Sequence, residues 1–290
     1  MIILLLGILS PAHALDEVIS FGVDEHDSTC SGNDDLDFAI AQAGAFDDVF
    51  DGWITSGYWD ESIQRGDASV DEEDFTDSTQ YSAPWGADDV DNVGSDYADV
   101  AYLSTHGVSE CESGHWSRVV MGQDTVSSDG RCRTYTNTHT NNTPSTREME
   151  YGNQTNGDAE VLILDACQSV HKCVWENAGY NGMDGTNFEA LIGFHGDSFD
   201  RSDQVAAVED YASTSRTSGL GDHWLDERVV WNIFANLDQC PTVVIWGSSS
   251  ANRDDLFDNG GLDDRFDAGS NTANTFYFLN NCDPDNGEVL

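Results

Sequence analysis

Two apolar runs decide the fold: Val100-Ala101-Tyr102-Leu103-Ser104-Thr105-His106-Gly107 and Val161-Leu162-Ile163-Leu164-Asp165-Ala166-Cys167. Neither has the spacing of an amphipathic helix, and both read as buried strands of an α/β sheet. Each delivers a reactive residue type at its end. Open sheets present ligands beyond the carboxyl ends of their strands. A histidine and a cysteine brought to one such edge can serve as base and thiol nucleophile.

Outward from these runs, the pattern alternates strand and helix. Glu17 to Val23 reads as a first strand, and Asp34 to Phe50 carries Leu36, Phe38, Ala39, Ala43, Phe46 and Phe50 at helical spacing. Residues 52 to 97, rich in Asp, Ser, Gly and Trp, read as a long surface connection. Ser117 to Met121 and Arg131 to Tyr135 are expected to form a hairpin around Ser127-Ser128-Asp129-Gly130. Phe188 to Phe194, Thr242 to Trp246 and Thr275 to Leu279 read as further strands, and Trp224 to Leu237 as a packed helix. Strands separated by helices imply a three-layer α/β/α sandwich with a mostly parallel central sheet and helices on both faces.

Residues 1–14 combine an apolar run, Ile2 to Leu9, with Ala12-His13-Ala14, a small-x-small cleavage site, and are expected to be a secretory signal peptide. The run is far shorter than the roughly 20 apolar residues of a membrane span. With no linker or internal repeat, residues 15–290 are expected to form a single exported domain.

The chain holds 54 acidic and 11 basic residues, a net charge of -43, with Lys172 its one lysine. That charge excludes nucleic acid and anionic membrane as partners. Self-repulsion of this size is best tolerated where salt screens it, so a saline habitat is expected. Eight Trp, thirteen Phe and nine Tyr argue against disorder. Acidic stretches such as Asp71-Glu72-Glu73-Asp74 read as solvated surface; calcium is possible, although no stretch has the spacing of an EF-hand loop.

Seven cysteines, Cys30, Cys111, Cys132, Cys167, Cys173, Cys240 and Cys282, leave one unpaired if an oxidising compartment joins the others. Cys167, at the end of a strand, is the expected free thiol. Cys111 with Cys132 and Cys240 with Cys282 are the pairings that suggest themselves, and a Cys167–Cys173 disulfide across a short loop is the alternative.

A thiol attacks as thiolate, so Cys167 needs a base or a helix N-terminus. His106 supplies the first, and a helix starting after Cys167 would supply the second. Gly107 allows close approach of its backbone, so its N–H and that of Cys167 are candidate oxyanion donors. No histidine pair at helical i, i+4 spacing and no Cys-x-x-Cys occurs, so no metal site is expected, and Trp246-Gly247-Ser248-Ser249-Ser250 lacks the serine-hydrolase elbow.

The order hydrophobic block, His106-Gly107, spacer, hydrophobic block, Ala166-Cys167 resembles the caspase-like, or clan CD, cysteine peptidases. The resemblance implies a caspase-like α/β/α sandwich, with His106 as general base and acid, Cys167 as nucleophile, Gly107 and Cys167 as oxyanion donors, and a peptide or protein as substrate. Gln168-Ser169 departs from the Arg or Gln followed by Gly that caspases carry there, so caspase preference does not transfer. The acidity of the chain suggests a basic residue before the scissile bond. Asp165 and His195 are candidate cleft-lining residues; His195-Gly196 also ends a strand, but follows Cys167 instead of preceding it. A catalytically inactive protein of the same fold, binding an extracellular partner, is the alternative.

Overall fold

The computed structural model describes residues 16–26, 34–54, 59–78, 86–90, 93–112, 114–122, 132–137, 149, 151, 159–180, 188–232, 237–263, 273–280, 282 and 290. The expected signal segment 1–14 and the turn 127–130 lie outside them.

The chain runs β1 (Asp16–Gly22), α1 (Ala39–Ile54), β2 (Trp59–Gly66), β3 (Val100–Ser104), β4 (His106–Glu110), β5 (Trp116–Val120), β6 (Arg133–Tyr135), β7 (Val161–Asp165) and α2 (Lys172–Asn177). It continues through β8 (Ala190–Phe194), α3 (Ser202–Ser215), α4 (Leu220–Glu227), β9 (Val230–Asn232), β10 (Leu237–Gln239), β11 (Pro241–Gly247), α5 (Ser250–Asn259) and β12 (Ala273–Phe278). Among the described residues the main sheet has seven strands, in the order β12-β11-β8-β7-β3-β1-β2. Its β2, β1, β3, β7 and β8 are parallel, while β11 and β12 each run antiparallel to their neighbours. The expected mostly parallel sheet is present.

The apolar runs become central strands because both of their faces are covered. Successive residues alternate between two cores. Val100, Tyr102, Val161, Ile163, Ala190 and Ile192 pack with Phe46 and Phe50 of α1, Tyr211 of α3, Trp224 of α4 and Leu256 of α5. Ala101, Leu103, Leu162, Leu164 and Leu191 pack on the other side with Phe75, Val119, Met121, Tyr151 and Val174. Four of the five α-helices among the described residues therefore cover one face. Among the described residues the second face carries the short α2, with the β4-β5-β6 sheet beside it. The arrangement is consistent with the expected α/β sandwich, with a small antiparallel sheet beside α2 on the second face.

Residues 52 to 97 are not a surface connection throughout. They supply the edge strand β2, paired with β1, and two 3₁₀ turns, Asp67–Ser69 and Glu72–Phe75. Phe75 packs against Phe21 in the core and draws the acidic stretch inward, so Asp71, Glu72, Glu73 and Asp74 are buried instead of solvated. Asp74 bridges to Arg65 at 2.9 Å and accepts the Asp71 N–H, yet burial still pushes its carboxyl up to about 7. The expected helix from Trp224 to Leu237 stops earlier, at Glu227, where the buried Arg228 caps it. A β9–β10 hairpin follows.

Cys240 pairs with Cys282 as expected. Cys111 pairs with Cys173, not with Cys132, because β4 delivers it to the first turn of α2; this also excludes a Cys167–Cys173 bond. Cys132 is disulfide-bonded as well, and Cys167 is free. Such bonds persist in oxidising compartments. No helix among the described residues is long and apolar enough to cross a membrane.

Candidate active site

β3 and β7 are parallel neighbours that end in register, Ser104 beside Asp165. The Thr105 N–H donates to the Asp165 carbonyl at 3.3 Å, and the Thr105 hydroxyl donates to the Val120 carbonyl. These bonds turn the chain out of the main sheet, so His106 opens β4 instead of closing β3. Beyond Asp165 the chain reverses through Ala166 and Cys167 into Gln168, which has a positive φ of 53°. The Gln168 side chain accepts from the Ser109 N–H at 3.1 Å and the Ser109 hydroxyl at 2.9 Å, tying β4 to the Cys167 turn. Gly107 lies against that turn so closely that a Cβ would sit 2.1 Å from the Cys167 carbonyl oxygen. Only glycine fits there.

His106 and Cys167 consequently line one small cavity, of about 80 Å³, together with Gln42, Asp165, Ser198 and Asp200. The Cys167 Sγ accepts the Ser198 N–H at 3.3 Å and points its proton toward the Ser198 carbonyl, 3.5 Å away. Burial, then the charges of Asp197 and Asp165, push the thiol up to about 12 against the smaller opposing effect of the Ser198 N–H. The helix expected immediately after Cys167 begins only at Lys172, with His171 as its N-cap, so no helix dipole favours a thiolate here. The resting residue is a neutral thiol.

His106 Nε2 lies 2.7 Å from the Asp34 carbonyl, which can only accept, so Nε2 is the donor, and in the neutral ring Nδ1 is the atom with the lone pair. Its ring packs at 4.7 Å on His26. Burial and the neighbouring His106 lower the His26 pKa, keeping this ring neutral. His26 is a site residue that sequence reading missed, since a lone histidine after a strand carries no periodic signal.

Asp165 lines the cavity, but its charge is compensated. Its Oδ2 binds Arg228 Nη2 at 2.5 Å and the Tyr102 hydroxyl at 2.7 Å, and its Oδ1 accepts from the Ser198 hydroxyl at 2.5 Å. Asp200 spends its carboxylate on the Asp37 and Phe38 N–H groups ahead of α1, at 2.5 and 2.8 Å. The acidic lining that a basic substrate residue would require is therefore already engaged. Arg228, fully buried and sandwiched near Phe194 and Trp224, was also invisible to sequence reading.

His195 does not join this cavity. It is buried, its ring tilted against that of His171 at 4.0 Å, and its Nδ1 accepts the Lys172 N–H at 3.2 Å. Burial and His195 depress His171 to about 3. His171 Nδ1 lies 3.3 Å from Cys111 Sγ, and Cys111, His171 and Cys173 stand close enough to share an ion. Their two sulfurs are joined in a disulfide, however, which removes the thiolates a metal would need.

No protein-family description, no curated protein and no solved structure matches this chain.

Proposed function

We propose that the protein is a cysteine-type endopeptidase of the caspase-like kind, exported from the cell and acting through Cys167 and His106. One observation carries this reading: a free thiol and a histidine line the same cavity, beyond the ends of two adjacent parallel strands. The strand order supports the caspase-like assignment, with parallel strands flanking β1 and the reversed strand β11, followed by β12, added at one edge.

Because the thiol is neutral at rest, deprotonation accompanies attack instead of preceding it. Sγ attacks the scissile carbonyl carbon while its proton passes to His106 Nδ1. The tetrahedral oxyanion is held by the N–H groups of Gly107 and Cys167. Collapse breaks the C–N bond, His106 returns the proton to the departing amine, and a thioester remains. Water, deprotonated by the same imidazole, then hydrolyses the thioester and regenerates the thiol.

The test is hydrolysis of a fluorogenic peptide panel by the full chain and by Cys167→Ala. Loss of at least about a thousandfold in kcat/KM supports the assignment; full retention of activity in Cys167→Ala overturns it. The raised thiol pKa favours a second reading, a binding protein that keeps the fold without the chemistry. No hydrolysis of any panel member by the wild-type chain selects that reading.

A further inference from the structure

Three adjacent parallel strands, β1, β3 and β7, end in register, with Gly22 beside Ser104 and Ser104 beside Asp165. β3 and β7 lead into His106 and Cys167, and β1 leads into His26. The Val23 N–H donates to the Ser104 carbonyl at 3.0 Å, which carries the β1–β3 pairing one residue further. Beyond it, the Asp24 and Glu25 N–H groups both donate to Asp67 Oδ1 at 2.9 Å, and the His26 N–H donates to Asp35 Oδ1 at 3.0 Å. The backbone from Val23 to His26 is thus held at every N–H, which presents the His26 ring in one place.

β3 lies between β1 and β7, so His106 is approached by Cys167 from one neighbouring strand and by His26 from the other. The His26 and His106 rings are 4.7 Å apart at their centroids and inclined by 51°, the spacing of an attractive ring pair. His26 is 7% exposed and does not line the thiol cavity, so it bears on His106 and not on a substrate. This contact supplies what the hydrogen bond from His106 Nε2 to the Asp34 carbonyl leaves open. One bond fixes the tip of the ring, whereas rotation about the Cβ–Cγ bond of a histidine is broad and roughly two-fold. The ring plane decides where the Nδ1 lone pair points, and a second ring packed against it decides the plane.

Neither His26 nitrogen completes a hydrogen bond among the described residues. Burial and His106 prevail over the Met121 and Val23 carbonyls and the charge of Asp35, and the His26 ring stays neutral. A neutral ring tolerates the positive charge that His106 acquires when it takes a proton, where a second cation would oppose it.

We propose that His26 is a positioning residue for His106: its ring holds the imidazole in the plane that directs Nδ1 toward Cys167 Sγ. The effect on turnover rests on the peptidase reading, whereas the orientation of His106 does not.

The experiment compares the full-length wild type with His26→Ala and His26→Phe in two readings. The first is kcat and KM on a fluorogenic peptide that the wild type hydrolyses. The second is long-range nitrogen–proton NMR of the His106 ring, assigned from the His106→Asn spectrum, at a pH where the ring is neutral. His26→Ala should lower kcat about tenfold or more and leave KM within about twofold, because orientation and not binding is lost. Its His106 nitrogen signals should move from those of a single Nε2–H tautomer toward averaged values. His26→Phe keeps a flat ring without its nitrogens, and should restore kcat to within about threefold of wild type and retain the single tautomer. Should His26→Ala not fold, as read by circular dichroism, His26→Leu takes its place, since it fills the space without a flat ring. An unchanged kcat, a loss confined to KM, unchanged His106 signals, or a His26→Phe no better than His26→Ala overturns the assignment. Any of these in a chain that hydrolyses peptides leaves the peptidase reading standing without His26. If the wild type hydrolyses no peptide, that reading falls and the NMR comparison alone decides whether His26 orients His106.

Discussion

Replacing Arg228 with methionine tests whether Asp165 is a compensated structural carboxylate. Both side chains are 0% exposed, and the guanidinium is the only cation within bonding distance of the carboxylate among the described residues, at 2.5 Å. Removing it leaves a buried anion whose remaining donors among the described residues are the Tyr102 and Ser198 hydroxyls. Breaking one side of a fully buried pair costs about 3–5 kcal/mol. The Gln204 carbonyl also loses its donor, Arg228 Nη1 at 3.0 Å, which places the loss toward the upper end of that range. For a chain of this size the corresponding fall in Tm is about 6–20 °C. The Asp165→Asn/Arg228→Met double variant removes both charges and should recover more than half of the loss, since the cost of the single variant is the uncompensated charge. Urea unfolding of wild type, both single variants and the double variant, read by tryptophan fluorescence, closes the cycle. A loss below about 1 kcal/mol in Arg228→Met, or a double variant as unstable as the sum of the singles, would refute the reasoning.

Gly107→Ala would place a methyl group 2.1 Å from the Cys167 carbonyl, so the β4 start and the Cys167 turn must separate by about 1 Å; a displacement of that size should lower kcat/KM about a hundredfold with a smaller fall in Tm, and unchanged hydrolysis would count against the site. Asp88 is buried near Asp96 and Asp77, and its carboxyl is pushed up to about 9, so folding takes up a proton and the stability it supports falls as pH rises from about 4 toward 9. Asp88→Asn should accordingly melt higher than wild type at pH 8 and equally at pH 4, as read by differential scanning calorimetry; a lower Tm at pH 8 contradicts this. The Cys111–Cys173 bond closes a span of 62 residues, so the Cys111→Ser/Cys173→Ser pair should lose about 4 kcal/mol in urea unfolding, and a loss under 1 kcal/mol would show that the bond constrains little.

The sheet was legible in the sequence because its signal is local. Strands covered on both faces must be apolar at every position, and β3, β7, β8 and β11 announce themselves as such runs. Helix α1 was equally plain, since Ala39, Ala43, Phe46 and Phe50 repeat on one face. The residues at the ends of β3 and β7 followed from the same runs, and so did the free Cys167 once the cysteines were counted as odd. β2 escaped because an edge strand reading Trp-Asp-Glu-Ser-Ile-Gln-Arg-Gly has no need of a continuous apolar pattern.

What the tertiary structure alone decided are relations between residues distant along the chain. Arg228 meets Asp165 across 63 residues, and Gln168 reaches Ser109 across 59. His26 finds His106 through a ring contact. Burial of Asp71 to Asp74 likewise depends on where Phe75 is anchored, not on the polarity of the stretch. Hydrophobic periodicity is written along the chain and determines elements; charge compensation, disulfide partners and the electrostatics of a cleft act through space, where sequence separation carries no weight. The sequence thus determined that a histidine and a cysteine follow two apolar strands, and the packing decided that those strands are neighbours, that the cysteine is a neutral thiol and that Asp165 is already paired.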